Sequence, residues 1–413
     1  MAKKITVAVI GCGDFACNFV PLFQAHPYVE KVYVCDIIPE RAREYSQRFG
    51  VEIIDTFENA IADSKITAVA IFTQRHLHGP LVKAALEAGK DVYSAVPMGV
   101  SVEECREIVE TVKKTGKTYM MGETCIYYPC SMYCKQRYEK GDFGTFVYAE
   151  AQYHHDISHF PKNFREDLVN AGVPPFYYPT HSTSMVLSAA NAYAVKVAAF
   201  GYEDKLDPEI FGKGKNYWDN PFSNTAMLMK LSNGAVARIS ENRRVAWNTP
   251  PTYISHFYAT KASYECSLMQ HSYITMPDKE VFYEDVSDLI NPIELTKHKH
   301  EPDFLQKAIR GEWASGEAPI QIIHRLPEEL VPLETNHAGT HKFMVDDFCQ
   351  AYMTGKLSPT NAWQAARYNL PGLTAHQSAM QGGVTLDVPD CGNPPAELEV
   401  LGADRKENPY DYR

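Results

Sequence analysis

Two tyrosines and a histidine stand where side chains can move protons: Tyr178 and His181, three residues apart, and Tyr153 at the end of an alternating apolar run. Imidazole accepts and donates near neutral pH, which makes His181 the first choice for a catalytic acid or base. The apolar spacing through Met185, Val186 and Ala189 predicts a helix from Thr180. Tyr178 and His181 then converge at its N-terminus, where the helix dipole stabilises a phenolate or enolate. The structural alternative is a pair of buried hydrogen-bonding residues at a helix entry, and for Tyr153 an aromatic on a strand face. His154, His155, Asp156 and His159 are the densest set of metal-ligating types, but adjacent His154 and His155 point to opposite faces of a strand. No metal is expected there, a divalent ion being the open alternative. Arg243 suits substrate hydroxyls, a charged group or a solvated strand end. Cys125, Cys130 and Cys134 read as core thiols. His337 and His341, four apart, share a helix face but lack the glutamate of a metalloprotease motif.

A second constellation is Gly11-Cys12-Gly13-Asp14-Phe15-Ala16, a G-x-G-x-x-A placed directly after a β-branched run and opening a helix. Gly11 permits the tight turn, Gly13 lets backbone approach a pyrophosphate, and Ala16 keeps helix and strand close. Asp36 follows 20 residues after Ala16, at the end of the second strand, with Ile37 beyond it. A carboxylate there accepts hydrogen bonds from ribose hydroxyls and repels a 2′-phosphate, so the cofactor is NAD rather than NADP. Arg41 is of the type that accommodates such a phosphate, and Asp36 is expected to outweigh it.

The elements that must position these groups fall into two patterns. Short apolar runs at Ile5–Ile10, Lys31–Asp36, Ala68–Thr73, Asp91–Ala95 and Thr118–Gly122 alternate with helical stretches such as Pro80–Ala88 and Val102–Thr115. That alternation gives an α/β fold, a doubly wound parallel Rossmann sheet over 1–122. From Glu123 the runs lengthen and alternate, at Phe146–Tyr153, Ala226–Leu231 and Ala235–Glu241, with a turn at Ser232-Asn233-Gly234. They predict a second, α+β domain over 123–413 with an open, mostly antiparallel sheet. Helices follow around Lys342–Met353 and Asn361–Gln381, the second broken or kinked at Pro371-Gly372, and they cover that sheet or return to the first domain. Residues Tyr202 to Tyr217 and the tail after Pro389 read as irregular surface chain.

At 413 residues the chain exceeds one core, and its net charge of -11 argues against nucleic acid or an anionic membrane as partner. No run is long enough to span a membrane, and the opening MAKKITVAVIGCG is unlike a secretory leader. Ten scattered cysteines without CxxC pairs fit reduced thiols in a cytoplasm. A bare sheet face in the second domain would expose apolar surface, so a homo-oligomer closing over it is expected.

The chain resembles the Gfo/Idh/MocA oxidoreductases in four segments. These are the glycine turn with Asp36; Thr73-Gln74-Arg75-His76-Leu77-His78 followed by Ala85–Lys90; Ser94-Ala95-Val96-Pro97; and His341–Phe348. The resemblance implies that Gly11, Cys12, Gly13, Asp14, Phe15, Asp36, Ile37, Arg41, Thr73, Gln74, His76, His78, Ala95, Pro97 and Glu123 surround the dinucleotide. One departure stands out: the family's Glu-Lys-Pro reads Ala95-Val96-Pro97 here, and valine cannot exchange a proton. Gly122-Glu123-Thr124, Tyr153–Asp156, Tyr178–His181 and His337-Ala338-Gly339 are similar to the NAD-dependent α-N-acetylgalactosaminidases, a branch that also tends to carry valine there. The stretch between Asp156 and Tyr178 looks shorter, so that sugar is not carried over.

This likeness implies a redox route to hydrolysis: hydride removal from C3, loss of the acidified C2 proton, elimination of the C1 substituent, addition of water and return of the hydride. It makes Tyr153, Tyr178 and His181 the catalytic groups and His155, Arg243 and His337 the substrate contacts, with His341 structural. The substrate is a saccharide or glycoside. Two alternatives stay open, a glycoside 3-dehydrogenase and a catalytically inactive NAD-binding regulator.

Overall fold

The structure, a computed structural model, describes residues 4–160, 162–206, 209–246 and 253–402. The chain forms two compact units. One comprises the chain up to Thr124, Ile322–Ala366 and the stretch from Cys391; the other comprises Cys125–Gln321 and Arg367–Asp390.

The first unit is built on six parallel strands: β1 (Ile5–Ile10), β2 (Val29–Cys35), β3 (Glu52–Ile53), β4 (Ala68–Ile71), β5 (Asp91–Ala95) and β6 (Tyr119–Gly122). Their order is β3-β2-β1-β4-β5-β6, the doubly wound arrangement expected from the sequence. Strands β4, β5 and β6 are buried at every position, as strands covered on both faces require. The helices between them carry their own stops. Ser101 accepts from the Glu104 amide at the start of Val102–Thr115, and Gly116 ends that helix in the left-handed region.

The glycine turn departs from expectation. Rather than opening a regular helix, it leads into a 3-10 turn, Ala16–Asn18, and then a six-residue helix, Val20–Ala25. Pro21 has no N–H to give to the preceding turn, so the helix cannot extend back to Gly13. Gly11 itself is required: its φ is +95°, and a Cβ there would lie 2.8 Å from the Phe72 carbonyl oxygen.

The second unit holds a nine-stranded sheet among the described residues, ordered β14-β13-β12-β11-β7-β10-β9-β8-β15. Its strands are β7 (Phe146–His154), β8 (Ala194–Glu203), β9 (Phe222–Leu231), β10 (Val236–Asn242), β11 (Tyr253–Ala259), β12 (Ala262–Ser267), β13 (Gln270–Thr275), β14 (Phe282–Asp285) and β15 (Leu386–Asp387). Every pairing is antiparallel except β7 with β10. A parallel pair needs a crossover, and helix Thr180–Ala189, between β7 and β8, lies on its path against β7, β10 and β11. Nine of that helix's ten residues are buried.

Helix Ala362–Met380 is continuous through Pro371, not broken there. Thr183 Oγ1 donates to the Tyr368 carbonyl (2.7 Å), so the proline turn finds a partner outside the helix. The stretch after Tyr202 is not all surface chain either. Ile210 and Phe211 are buried with Ile157 and Ala171 against Phe160 and Phe164. None of the ten cysteines forms a disulfide, and no described helix is long and apolar enough to cross a membrane.

Gly372 meets the turn that carries Tyr178, where a Cβ would lie 2.4 Å from both the Phe176 oxygen and the Pro179 ring. Gly372→Ala is expected to destabilise the second unit by about 2 kcal/mol, read as a lowered urea midpoint at unchanged slope.

Candidate functional site

The glycine turn of the first unit is set by Asp36. One carboxylate oxygen accepts from the Cys12 amide (2.7 Å) and the other from the Ile38 amide (2.8 Å), which tie the glycine turn to the end of β2. Tyr45 adds a second tie, its hydroxyl donating to the Gly13 carbonyl at 2.5 Å. Burial, followed by the Asp36 charge, pushes the Cys12 thiol up to about 12, so it stays protonated. Ile37 is almost fully exposed beside Asp36. His78 is buried between the carbonyl oxygens of Pro97 (2.8 Å) and Thr73 (3.1 Å), joining the end of β4 to the Val96–Pro97 turn. Burial holds its imidazole below the usual histidine value against those two carbonyls, and the neutral ring donates to one of them. Gln74 and His76 lie on the segment between, with Thr73.

These residues fit a dinucleotide on two observations. A Cβ at Gly13 would meet nothing within 4 Å, leaving open space where backbone approaches a pyrophosphate. The Thr73 hydroxyl is buried with no partner among the described residues, a group that a ligand can satisfy. Asp14 and Phe15 continue the turn, Arg41 lies beyond it, Ala95 ends β5, and Glu123 is buried after β6.

His337 lies in this first unit. Its ring meets Phe15 edge-on at 5.8 Å and His341 at 4.9 Å, on a left-handed turn in which His337, Ala338 and Gly339 have φ of 56°, 51° and 73°. His341 is fully buried, 4.6 Å from the Phe19 ring, and burial holds it well below the usual value.

The second unit brings the proton-moving residues together. Glu241 on β10 is in register with Tyr153 on β7, which is in register with Tyr253 on β11, so three side chains occupy one row across adjacent strands. Helix Thr180–Ala189 lies on that row and presents His181 and Ser182 to it. Tyr178 Oη and His181 Nε2 are 3.1 Å apart. The Tyr153 ring lies 5.3 Å from His181 and 6.2 Å from Tyr178, and stacks on Tyr253 at 5.0 Å. Arg243 covers the other side, its guanidinium 4.8 Å from the Tyr153 centroid.

Sequence reasoning missed three members of this cluster. Glu241 is wholly buried; it accepts from Ser182 Oγ and pairs with Arg243 at 3.5 Å. A charge on the core-facing parity of a strand, after buried Ala237 and Ile239, was the available signal. Ser182 and Tyr253 had no such signal, because register alone brings them in.

The three metal-ligating types whose side chains are described, His154, His155 and Asp156, each face a different partner. His154 faces Asn242 (3.0 Å), and His155 stacks on Phe160 at 4.4 Å. The His159 side chain lies outside the described residues. Asp156 is a latch: one oxygen accepts from the Ser158 amide and hydroxyl, the other from the amides of Val245 (2.7 Å) and Ala246 (2.8 Å). Burial opposes its charge, but the Ser158 hydroxyl and those amides outweigh burial and hold the carboxyl at about 2.

Residues 5–123 match the Gfo/Idh/MocA family, described as an oxidoreductase family with an NAD-binding Rossmann fold. A glycosyl hydrolase family 109 protein of Streptomyces filamentosus is 23% identical over 420 residues, taking in 94% of this chain and 77% of that protein. An alpha-N-acetylgalactosaminidase of Bacteroides fragilis is 29% identical over 167 residues, 37% of this chain and 38% of that one. Two further relatives named as family 109 proteins are matched over 45% and 44% of their length. Among solved structures, a levoglucosan dehydrogenase complexed with NADH and levoglucosan shares the fold, with a TM-score of 0.72 at 19% identity over 94% of this chain and all of that one.

Asp156 titrates lower folded than unfolded, so its stabilisation is present above about pH 4 and is lost as the pH falls through about 2. Asp156→Asn is expected to cost about 2 kcal/mol at pH 7, and the gap to the parent protein in urea unfolding narrows between pH 4 and 2.

Proposed function

We propose, for a chain whose N-terminal domain belongs to the Gfo/Idh/MocA oxidoreductases, that the protein is an NAD-dependent glycosidase acting by transient oxidation at C3 of its sugar. The observation that carries this reading is the cluster of Tyr153, Tyr178 and His181, joined by one hydrogen bond and by tilted and edge-on ring contacts. It offers proton-transfer groups rather than the two flanking carboxylates of ordinary glycoside hydrolysis, for Glu241 is buried against Arg243 and Ser182.

NAD, when bound, supplies the reversible hydride acceptor for C3. Gly11, Gly13, Asp36 and Thr73 hold it in this reading, with Asp36 selecting against a 2′-phosphate. Val96 cannot take a proton, so the C3 hydroxyl gives its proton to Tyr178, which relays it to His181 across their 3.1 Å contact. Tyr153, acting as a phenolate, removes the C2 proton, now acidic beside the C3 ketone, and passes it to the C1 substituent as that group leaves. Water adds at C1 and gives its proton through Tyr153 to C2, so C2 takes its hydrogen from solvent, and Tyr178 returns a proton to the C3 oxygen as C3 is reduced. Net change is one glycosidic bond replaced by water, with no net oxidation. Arg243, His155 and His337 contact the sugar in this reading. The family 109 naming of the relatives supports the same branch.

Self-association is part of the proposal. Phe200 and Tyr202 on β8 and Leu228 on β9 stay exposed in the second unit, and a second copy covers them. Leu228→Lys is expected to lower the sedimenting mass of the protein, and a parent protein that sediments as a monomer contradicts this part.

The test of function is a panel of nitrophenyl glycosides, following nitrophenol and the 340 nm absorbance of NADH together. Nitrophenol without net NADH is expected. NADH accumulating without nitrophenol makes the protein a 3-dehydrogenase, and silence in both channels with NAD bound favours the regulator. Tyr178→Phe and His181→Ala are each expected to lower kcat by about 100-fold or more at an unchanged melting midpoint.

A further inference from the structure

Arg243 is the cation nearest the tyrosine row, and its charge is already spent. Its guanidinium lies 3.5 Å from the Glu241 carboxylate; the two side chains are 9% and 0% exposed. Glu241 is also held by Ser182 Oγ, and its own carbonyl accepts from Thr225 Oγ1, so the carboxylate cannot swing away without losing buried partners. Two charges beyond the ends of β10 and β7 are also paired: Arg244 to Asp204, and Asp156 to the Ser158, Val245 and Ala246 amides. Beside the ion pair lie the stacked rings of Tyr153 and Tyr253, with Tyr178 and His181 at the edge of the Tyr153 ring.

We propose that Glu241 is a specificity-determining residue that cancels the charge of Arg243, so the site takes neutral glycosides and rejects uronosides. Arg243 then serves a neutral sugar as a hydrogen-bond donor over Tyr153, without the electrostatic pull that would capture a carboxylate. In the low dielectric of a buried site, an anionic C6 carboxylate arriving beside this pair would meet Glu241 with no cation left to balance it. Removing the carboxylate of Glu241 reverses that preference by releasing Arg243 as a free cation.

This inference rests on the glycoside-processing reading, and the experiment separates the two. Matched nitrophenyl hexosides and hexuronosides of the gluco, galacto and manno series, differing only at C6, are assayed with the parent protein, Glu241→Gln and Arg243→Met. Binding of glucose, galactose, mannose and the three free uronates is measured by calorimetry on the same proteins. The parent protein is expected to favour the neutral partner by about 100-fold in kcat/KM. Glu241→Gln narrows that ratio at least about tenfold, mainly through KM for the uronoside, while Arg243→Met widens it. A parent protein that handles both partners equally, or an unchanged ratio in a folded Glu241→Gln, overturns the proposal. If Glu241→Gln does not fold, an unchanged ratio in Arg243→Met does so. Should no glycoside be cleaved, the function proposed above fails, and the calorimetric ratios decide the charge preference alone.

Discussion

The parallel pairing of β7 with β10 is the constraint on which the second unit's chemistry depends. It places Glu241 beside Tyr153, and the antiparallel pairing of β11 places Tyr253 on the other flank. A slip of one residue in β10 or β11 would turn Glu241 or Tyr253 to the face opposite Tyr153. The register is held beyond the strand ends as well, where the Asp156 carboxylate grips the backbone after Arg243. A parallel pair in an otherwise antiparallel sheet also requires a crossover, and the crossover helix supplies His181 and Ser182. One topological feature thus sets both floor and roof of the cluster.

The first unit solves a different problem, holding an irregular loop still without a long helix behind it. Pro21 shortens the helix after the glycine turn, which weakens the alignment of backbone dipoles that such a turn ordinarily offers to a phosphate. Side chains take over: Asp36 and Tyr45 fasten the turn from below, and the Phe15 ring packs edge-on against His337 and His341. His78 does the same for the Val96–Pro97 turn. Buried as it is, the ring stays neutral, so this fastening does not depend on pH in the physiological range.

Much of this was legible in the sequence. The alternation of β-branched runs and helical spacing specified the parallel sheet, and the G-x-G-x-x-A with Asp36 marked the turn that the Asp36 carboxylate ties to the end of β2. The three-residue spacing of Tyr178 and His181, with a helix starting at Thr180, predicted a contact that the structure shows at 3.1 Å. Long-range pairing was not legible. Tyr253 and Ser182 reach the site through register and crossover, which no local pattern encodes. His337 lies beside Phe15 because the chain returns to the first unit after Gln321, and spacing to His341 carries no information about that return. Asp156 has the composition of a metal ligand, and only the amides that surround it reveal a latch.

The central claim is hydrolysis through a C3 ketone, and its most direct test is the fate of the C2 hydrogen. The protein is incubated with a cleavable glycoside in deuterated water and the released sugar is examined by NMR and mass spectrometry. The account predicts one deuterium at C2, with the C3 hydrogen retained through its hydride cycle. A released sugar carrying hydrogen at C2 throughout contradicts it, because hydrolysis would then have proceeded without breaking that bond.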